Sequence, residues 1–242
     1  MEQNLILHVS AATHNGGKLY NEDSIYMPTT GSETLEIDTQ NVFFAVADGV
    51  SSGGGGGIAS QAAIKTMHEY EIHHQNPNAY IKDLLNDMNN NVRTSLRCEG
   101  YIMGGSTIAL INFHGDKATT ANIGDSYIYL CRQNKIQQLN RPHTLAALKQ
   151  RSNNANINDS DYHTLYYYIG NPDYTGEEQA YINEIDVMKG DAFLICSDGF
   201  LDLYDESELI HVFSINENSE SIINDRIEKA KDNVSLVIIK VI

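Results

Sequence analysis

The 242-residue sequence predicts an α+β sandwich, and three observations lead to it. Strand-like runs dominate both ends of the chain. Helical segments come in two groups, one after the early strands and one before the last strand. Strand and helix never alternate regularly, which argues against a parallel βαβ array. No low-complexity linker divides the chain, so residues 1–242 are expected to form one domain. With 41% hydrophobic residues there is ample material for a core, and wholesale disorder is excluded.

Strands are expected at Leu5 to Ala11, Ser24 to Met27 and Val42 to Ala47, where apolar and β-branched residues cluster. The polar stretch TTGSETLEIDTQ between the last two reads as a hairpin connection or short insertion. Ile58 to His73 carries apolar residues at helical spacing, and Asn78 to Arg97 repeats it with Ile81, Leu84, Leu85, Met88, Val92 and Leu96 on one face. Asn76-Pro77 marks a turn between the two helices. Strands return at Ser106 to Phe113, Lys117 to Ile123, Ser126 to Arg132 and Lys135 to Leu139, with tight turns at His114-Gly115-Asp116 and Gln133-Asn134. Residues 150 to 165 are polar and aperiodic and suggest a mobile surface flap. Strands Tyr181 to Val187 and Ala192 to Cys196 follow, then helices Glu206 to Phe213 and Ser219 to Lys231, then a closing strand Ser235 to Ile242.

The 32 acidic against 16 basic residues give a formal charge of −16. A field of that sign disfavours nucleic acid, whose binding needs phosphate neutralisation, and disfavours an anionic membrane surface. Cys98, Cys131 and Cys196 lie far apart, and no C-x-x-C pair supports a zinc ribbon or a redox motif. The start, MEQNLILHVS, is too short and polar for a signal peptide, and no apolar stretch approaches the ~20 residues of a membrane span. A cytoplasmic protein is expected.

Four acidic dipeptides stand where strand-like runs begin or end: Glu22-Asp23, Asp48-Gly49, Asp198-Gly199 and Asp232-Asn233. Singly, each is a turn. Converging at the ends of packed strands, the carboxylates would repel one another unless they held divalent cations, which take hard oxygen ligands. Asp125, in Asn122-Ile123-Gly124-Asp125-Ser126, adds a fifth acidic residue at a strand junction. The run GVSSGGGGG lacks the G-K-[ST] ending of a phosphate loop. It reads as a flexible connection, or as a loop that must pass close to a metal or ligand. None of the nine histidines falls at a paired zinc spacing. His73 and His74 read as solvated helix-end residues, and His143 as a loop histidine that could face a cleft.

The ordered set N-E-D (Asn21 to Asp23), V-A-D-G (Val46 to Gly49), G-G-S-T (Gly104 to Thr107), N-x-G-D-S (Asn122 to Ser126), C-S-D-G (Cys196 to Gly199) and D-N (Asp232, Asn233) resembles the metal-dependent type 2C protein phosphatases, over nearly the whole chain. The resemblance implies two packed antiparallel sheets flanked by helical pairs on both outer faces. It implies hydrolysis of phosphoserine and phosphothreonine on proteins, substrates of a serine/threonine kinase, using two Mn2+ or Mg2+ ions. Carried over residue by residue, Asp48 bridges both metals, the Gly49 carbonyl and Glu22 serve one, and Asp198 and Asp232 complete the other. Asp23 orients the attacking water, and Asp125 with Asp198 matches a third, weaker metal site. The chemistry is coherent in itself: two divalent ions ~4 Å apart make hydroxide available at neutral pH for in-line attack on phosphorus, with no protein nucleophile.

Several substrate-facing positions depart from the family pattern. Lys18 stands where an arginine usually grips phosphate, which loses the planar fork. Val50 stands where many relatives have histidine or methionine, Pro142 replaces an aspartate before His143, and Tyr167 replaces an arginine of the flap. An active but divergent phosphatase is expected. The alternative is a weak or inactive relative that binds phosphoproteins as a regulator, which leaves the full set of metal carboxylates without a role.

Overall fold

A computed structural model describes residues 6–28, 35–38, 42–50, 53–70, 77–152, 156–173, 179–214 and 218–242. Its frame is four layers. One sheet has six strands, in the order β10 (Lys135–Gln138), β9 (Tyr127–Arg132), β12 (Ala192–Cys196), β13 (Val234–Val241), β1 (Ile6–His14) and β3 (Leu35–Asp38). The other has five, in the order β11 (Tyr181–Asp186), β8 (Lys117–Ile123), β7 (Ile108–His114), β4 (Val42–Ala47) and β2 (Ser24–Tyr26). Neighbouring strands in both sheets run antiparallel. A short pair, β5 (Gly49–Val50) and β6 (Gly105–Ser106), crosses the site end.

The continuous apolar runs have a simple cause: the strands are covered on both faces. Along β4, Phe44 and Val46 enter the core between the sheets, while Phe43, Ala45 and Ala47 meet the helices outside. Along β13, Val237, Ile239 and Val241 point inward and Val234, Leu236 and Ile238 outward. This period-two division needs apolar residues at successive positions. Fully burying a side chain such as Phe44 contributes about 1.5–3 kcal/mol.

Helices α1 (Gly56–Glu69) and α2 (Pro77–Cys98) cover the five-stranded sheet, and Ile81, Leu84, Leu85, Met88, Val92 and Leu96 of α2 are all buried, as their spacing predicts. The six-stranded sheet is covered by Phe200, Leu203 and Tyr204, by Leu209, Val212 and Phe213, and by Ile222 and Ile223. These come from α5 (Asp198–Leu201), α6 (Leu209–Ser214), α7 (Ser219–Arg226) and the turn after α5. The expected sandwich is the observed one.

Some boundaries differ for local reasons. The helix expected from Glu206 begins at Leu209, because the Asp205 carboxylate accepts the backbone N–H groups of Ser207 and Glu208 and holds a turn. The helix expected to reach Lys231 ends at Arg226 and passes into a 3-10 turn, Ile227–Lys229. The polar stretch expected as a connection contains β3, which pairs with Ile6 to Val9 of β1 through its backbone. The expected flap is more ordered than its composition suggests. Its first two residues close α3 (Leu145–Arg151), a helix capped by Thr144, and it carries α4 (Asp159–Tyr162), closed by a capping box between Asn158 and Asp161. Lys149 ties the two together through Asp161, at 2.6 Å. The hairpin turn Gln133-Asn134 has both residues at positive φ (53° and 59°), the type I′ geometry that matches strand twist. His73, His74 and Asn76 lie outside the described residues. No helix among the described residues is long and apolar enough to cross a membrane.

Candidate active site

The strand ends converge at one edge of the sandwich. Asp48 follows β4, Asp198 follows β12, Asp232 precedes β13, Asp125 lies between β8 and β9, and Glu22 and Asp23 precede β2. The antiparallel register brings them together, since β2 pairs with β4 and β12 with β13. Asp23, Asp48, Asp125 and Asp198 lie within electrostatic range of one another, and Asp232 lies within range of Asp125 and Asp198. Asp48 and Asp198 also share a hydrogen bond.

Backbone contacts hold Asp48 in place. Its N–H donates to Thr107 Oγ1 at 3.0 Å, while its carbonyl accepts from the Thr107 N–H at 2.8 Å and the Ser106 hydroxyl at 3.0 Å. Thr107 Oγ1 also meets Ser126 Oγ at 2.6 Å, which ties Asp48 to the Asp125 loop. That loop is pinned from behind by His143, whose N–H donates to the Gly124 carbonyl and whose Nδ1 accepts the Gly124 N–H at 3.0 Å. Burial lowers the His143 pKa to about 4, so the ring stays a neutral acceptor. His143 is a structural pin, and as expected it also lines a cleft, with Arg141, Arg151 and Gln179.

Glu22 sits at the start of α1. Its backbone N–H donates to Asn233 Oδ1 at 2.9 Å, and its Oε1 accepts the Gly57 N–H at 3.3 Å. A carboxylate there is favoured by the free N–H groups of the helix end. The glycine run makes the approach possible: a Cβ on Gly56 would lie 2.9 Å from both Glu22 Oε1 and the Gly49 carbonyl oxygen. Gly56 and Gly57 of that run thus pass directly against Glu22, an approach that a side chain at Gly56 would block. Gly49 is equally confined, since a Cβ there would meet the Glu22 carbonyl oxygen at 2.6 Å.

The electrostatics follow from crowding. Burial, then neighbouring carboxylates, push Asp48 well above the usual carboxylate range. Burial raises Asp23 to about 7, tempered by the hydroxyls of Ser235 and Ser197 and aggravated by Asp198. Burial and Asp198 raise Asp125 to about 8, and burial and Asp232 raise Asp198. Neither carboxylate oxygen of Asp23 has a hydrogen-bond partner of good geometry, although the residue is only 7% exposed. Buried acceptors left unpaired are costly, and an all-oxygen donor set of this kind fits hard divalent cations. The set is gathered but not closed: among the described residues, no three acidic, imidazole or thiol groups already form a coordinating shell.

Lys18 reaches the cluster. Its Nζ lies 2.9 Å from Asp232 Oδ1 and 3.0 Å from Oδ2, with both side chains about half exposed. All the residues expected at the site are therefore brought to one place: Lys18, Glu22, Asp23, Asp48, Gly49, Asp125, Asp198 and Asp232. Tyr167 turns out to be a packing residue. Its ring meets His143 at 5.6 Å and Tyr166 at 4.8 Å between centroids. Sequence reasoning gave no role to Asn233, whose Nδ2 donates to the Asn15 and Tyr20 carbonyls while Oδ1 holds Glu22. It also overlooked His163, at the end of α4, whose Nδ1 stands 3.9 Å from Asp198 Oδ2. An asparagine directly after a site aspartate was the available signal for the first, and nothing local marked the second.

Comparison with known proteins identifies the frame that carries this cluster. The family model described as protein phosphatase 2C matches residues 12–229. The serine/threonine protein phosphatase PstP of Mycobacterium tuberculosis is 25% identical over 98% of this chain and 46% of its own length. The protein phosphatase PTC7 homolog fig of Drosophila mojavensis is 26% identical over 79% of this chain and 57% of its own length. The chain thus spans about half the length of the curated relatives it matches. The solved catalytic domain of PstP in complex with two manganese ions superposes with a TM-score of 0.81 at 23% identity, covering 98% of this chain and 99% of that one, a likeness of fold. With most of its length matched by the family model, the chain belongs to the protein phosphatase 2C family.

Proposed function

We propose that this chain is a single catalytic domain that hydrolyses phosphoserine and phosphothreonine on proteins with Mn2+ or Mg2+ ions. The observation that carries this is the gathering of six carboxylates, Glu22, Asp23, Asp48, Asp125, Asp198 and Asp232, at strand ends of a protein phosphatase 2C frame. Asp48 would be shared between two ions, with Glu22 and the Gly49 carbonyl on one side and Asp198 and Asp232 on the other. Asp125 with Asp198 would hold a third. When bound, the ions supply Lewis acidity at phosphorus and make a water nucleophilic at neutral pH. PstP's structural description, with its two manganese ions, supports the choice of metal and the count.

The chain's own groups do the rest. Asp23, buried beside the Ser197 and Ser235 hydroxyls, orients the attacking water and takes its proton on a carboxylate oxygen. The Lys18 ammonium presents positive charge to the phosphate oxygens as a point charge without arginine's fork. Thr107, Ser126 and His143 keep the carboxylates from relaxing apart. No side chain need act as a nucleophile. The partners would be proteins phosphorylated by a serine/threonine kinase, in the cytoplasm, with no nucleic acid and no membrane involved.

The test is phosphate release from a phosphothreonine peptide with Mn2+, beside the same assay in excess EDTA and with Asp48→Asn. Turnover that requires the metal and falls by orders of magnitude in Asp48→Asn is expected. Full activity in EDTA, or in Asp48→Asn, would contradict the proposal.

A further inference from the structure

We propose that Lys18 is a built-in competitor for the metal: it clamps Asp232 in the metal-free protein and gives it up when a divalent cation enters. The inference rests on the two-cation reading above and adds the order in which the site fills. One ammonium lies within 3.0 Å of both oxygens of Asp232, which is where a cation ligated by that carboxylate must come. The other site carboxylates are held by different means. Asp48 and Asp198 share a hydrogen bond, and Glu22 accepts from the α1 backbone. Asp232 is the site carboxylate whose two oxygens a positive side chain already occupies.

The clamp is built by the fold rather than by a wandering side chain. The Asn15 to Lys18 turn is closed by the Lys18 N–H to the Asn15 carbonyl at 3.0 Å and by Asn15 Nδ2 to the Lys18 carbonyl at 2.7 Å. Gly16 and Gly17 let that turn lie directly on the 230–232 backbone; a Cβ on Gly17 would stand 2.7 Å from the Ala230 carbonyl oxygen. Asn233 Nδ2 then bonds the Asn15 carbonyl at 3.0 Å. The backbone of residue 18 is therefore anchored beside Asp232, and only the flexible stem can move. Glu22 and Asp48 attract the same ammonium in the metal-free cluster.

The exchange is a matter of charge. An ammonium offers one positive charge and three donors, and a divalent cation offers twice the charge and accepts lone pairs directly. The cation wins at sufficient concentration, but it must first break a partly exposed ion pair and then tolerate a positive neighbour. Occupancy at Asp232 should therefore lag behind occupancy at the Glu22 side. The freed ammonium is then available to a phosphate, which links metal filling to substrate grip.

The experiment is titration calorimetry of Mn2+ into metal-stripped protein, comparing wild type with Lys18→Met and Lys18→Arg. Wild type should bind in two distinguishable steps. In Lys18→Met the weaker step should tighten about five- to tenfold, the effect of removing a competing half-exposed cation. Lys18→Arg keeps a cation in place and should not tighten. Melting curves add a second readout: Lys18→Met should melt below wild type in EDTA and level with it at saturating Mn2+. Identical Mn2+ isotherms for wild type and Lys18→Met, with the wild type showing Mn2+-dependent phosphatase activity, would overturn the clamp alone. Failure of wild type to bind Mn2+ would overturn the clamp and the two-cation reading together.

Discussion

The carboxylate end of the sandwich and the flap beside it are built on different principles. Asp48, Asp125, Asp198 and Asp232 hang from strands buried on both faces, and their backbones are fixed by internal hydrogen bonds such as Thr107 to Asp48 and His143 to Gly124. The flap, together with the adjoining α3, is held by short helices, a Thr144 cap and the Lys149–Asp161 pair. The first region can keep mutually repelling groups together, because moving any of them would unpack a core. The second can be repositioned by changing a few exposed contacts. Under the proposed function, metal chemistry would belong to the rigid end and substrate choice to the adjustable one.

The sharpest way to break that contrast is to loosen the rigid end without touching a carboxylate. Thr107→Val removes the acceptor of the Asp48 N–H and the partner of Ser126 while keeping the shape of the side chain. Leaving that buried donor unpaired costs about 1–3 kcal/mol. Supporting groups of this kind are worth roughly 10–100-fold in metal affinity or activity. Metal-dependent turnover should fall by that factor and the melting temperature by several degrees, while an unchanged Mn2+ affinity would show that Asp48 does not need its pin.

Next in size is a pH effect confined to the metal-free state. The folded protein holds protons on Asp23 and Asp125 up to about pH 7 and 8, whereas an unfolded aspartate releases them near 3.8. Stability of the EDTA-treated protein should therefore fall as pH rises from about 4 towards 8, and level off above that. Glu184, Asp205 and Glu208 are shifted the other way by Lys117, Ser207 and Arg226, so acid below about pH 4 should also destabilise. A maximum near pH 4, erased by saturating Mn2+, is expected from melting curves across that range. A metal-free protein at its most stable at pH 8 would contradict the crowding on which the site depends.

The smallest effect is expected in the flap. Asp161→Asn removes the Lys149 pair and weakens the α4 capping box. Peptide KM should shift severalfold and the melting temperature fall by a few degrees, since the Asp161 side chain is buried, while Mn2+ affinity barely moves. A large loss of Mn2+ binding would show that the flap and the carboxylate end are one unit.

This division also explains what could be read in the sequence. The long buried strands, α1, α2 and the six carboxylates were legible, because double-sided burial writes long apolar runs and acidic residues stand at the ends of several of them. The pins were not, because Thr107 to Asp48 and Asn233 to Glu22 join positions 59 and 211 residues apart, and no local pattern records such a meeting. The short α4 was hidden because four polar residues carry no periodicity, and with it His163 beside Asp198. The edge strand β3 was hidden for a related reason: it pairs through its backbone, which any polar side chain permits.

The most direct test of the central claim, that these carboxylates are assembled to hold divalent cations, is a thermal shift measured on wild type and Asp48→Asn with and without saturating Mn2+. A cation binding only the folded state at a hundred times its dissociation constant adds about 2.7 kcal/mol, and for a chain of this size each kcal/mol is worth roughly 2–4 °C. Wild type should gain about 5–10 °C over the EDTA-treated sample, and Asp48→Asn, with its shared ligand neutralised, should gain little. Equal stabilisation of both proteins would place the metal elsewhere on the acidic surface and contradict the account.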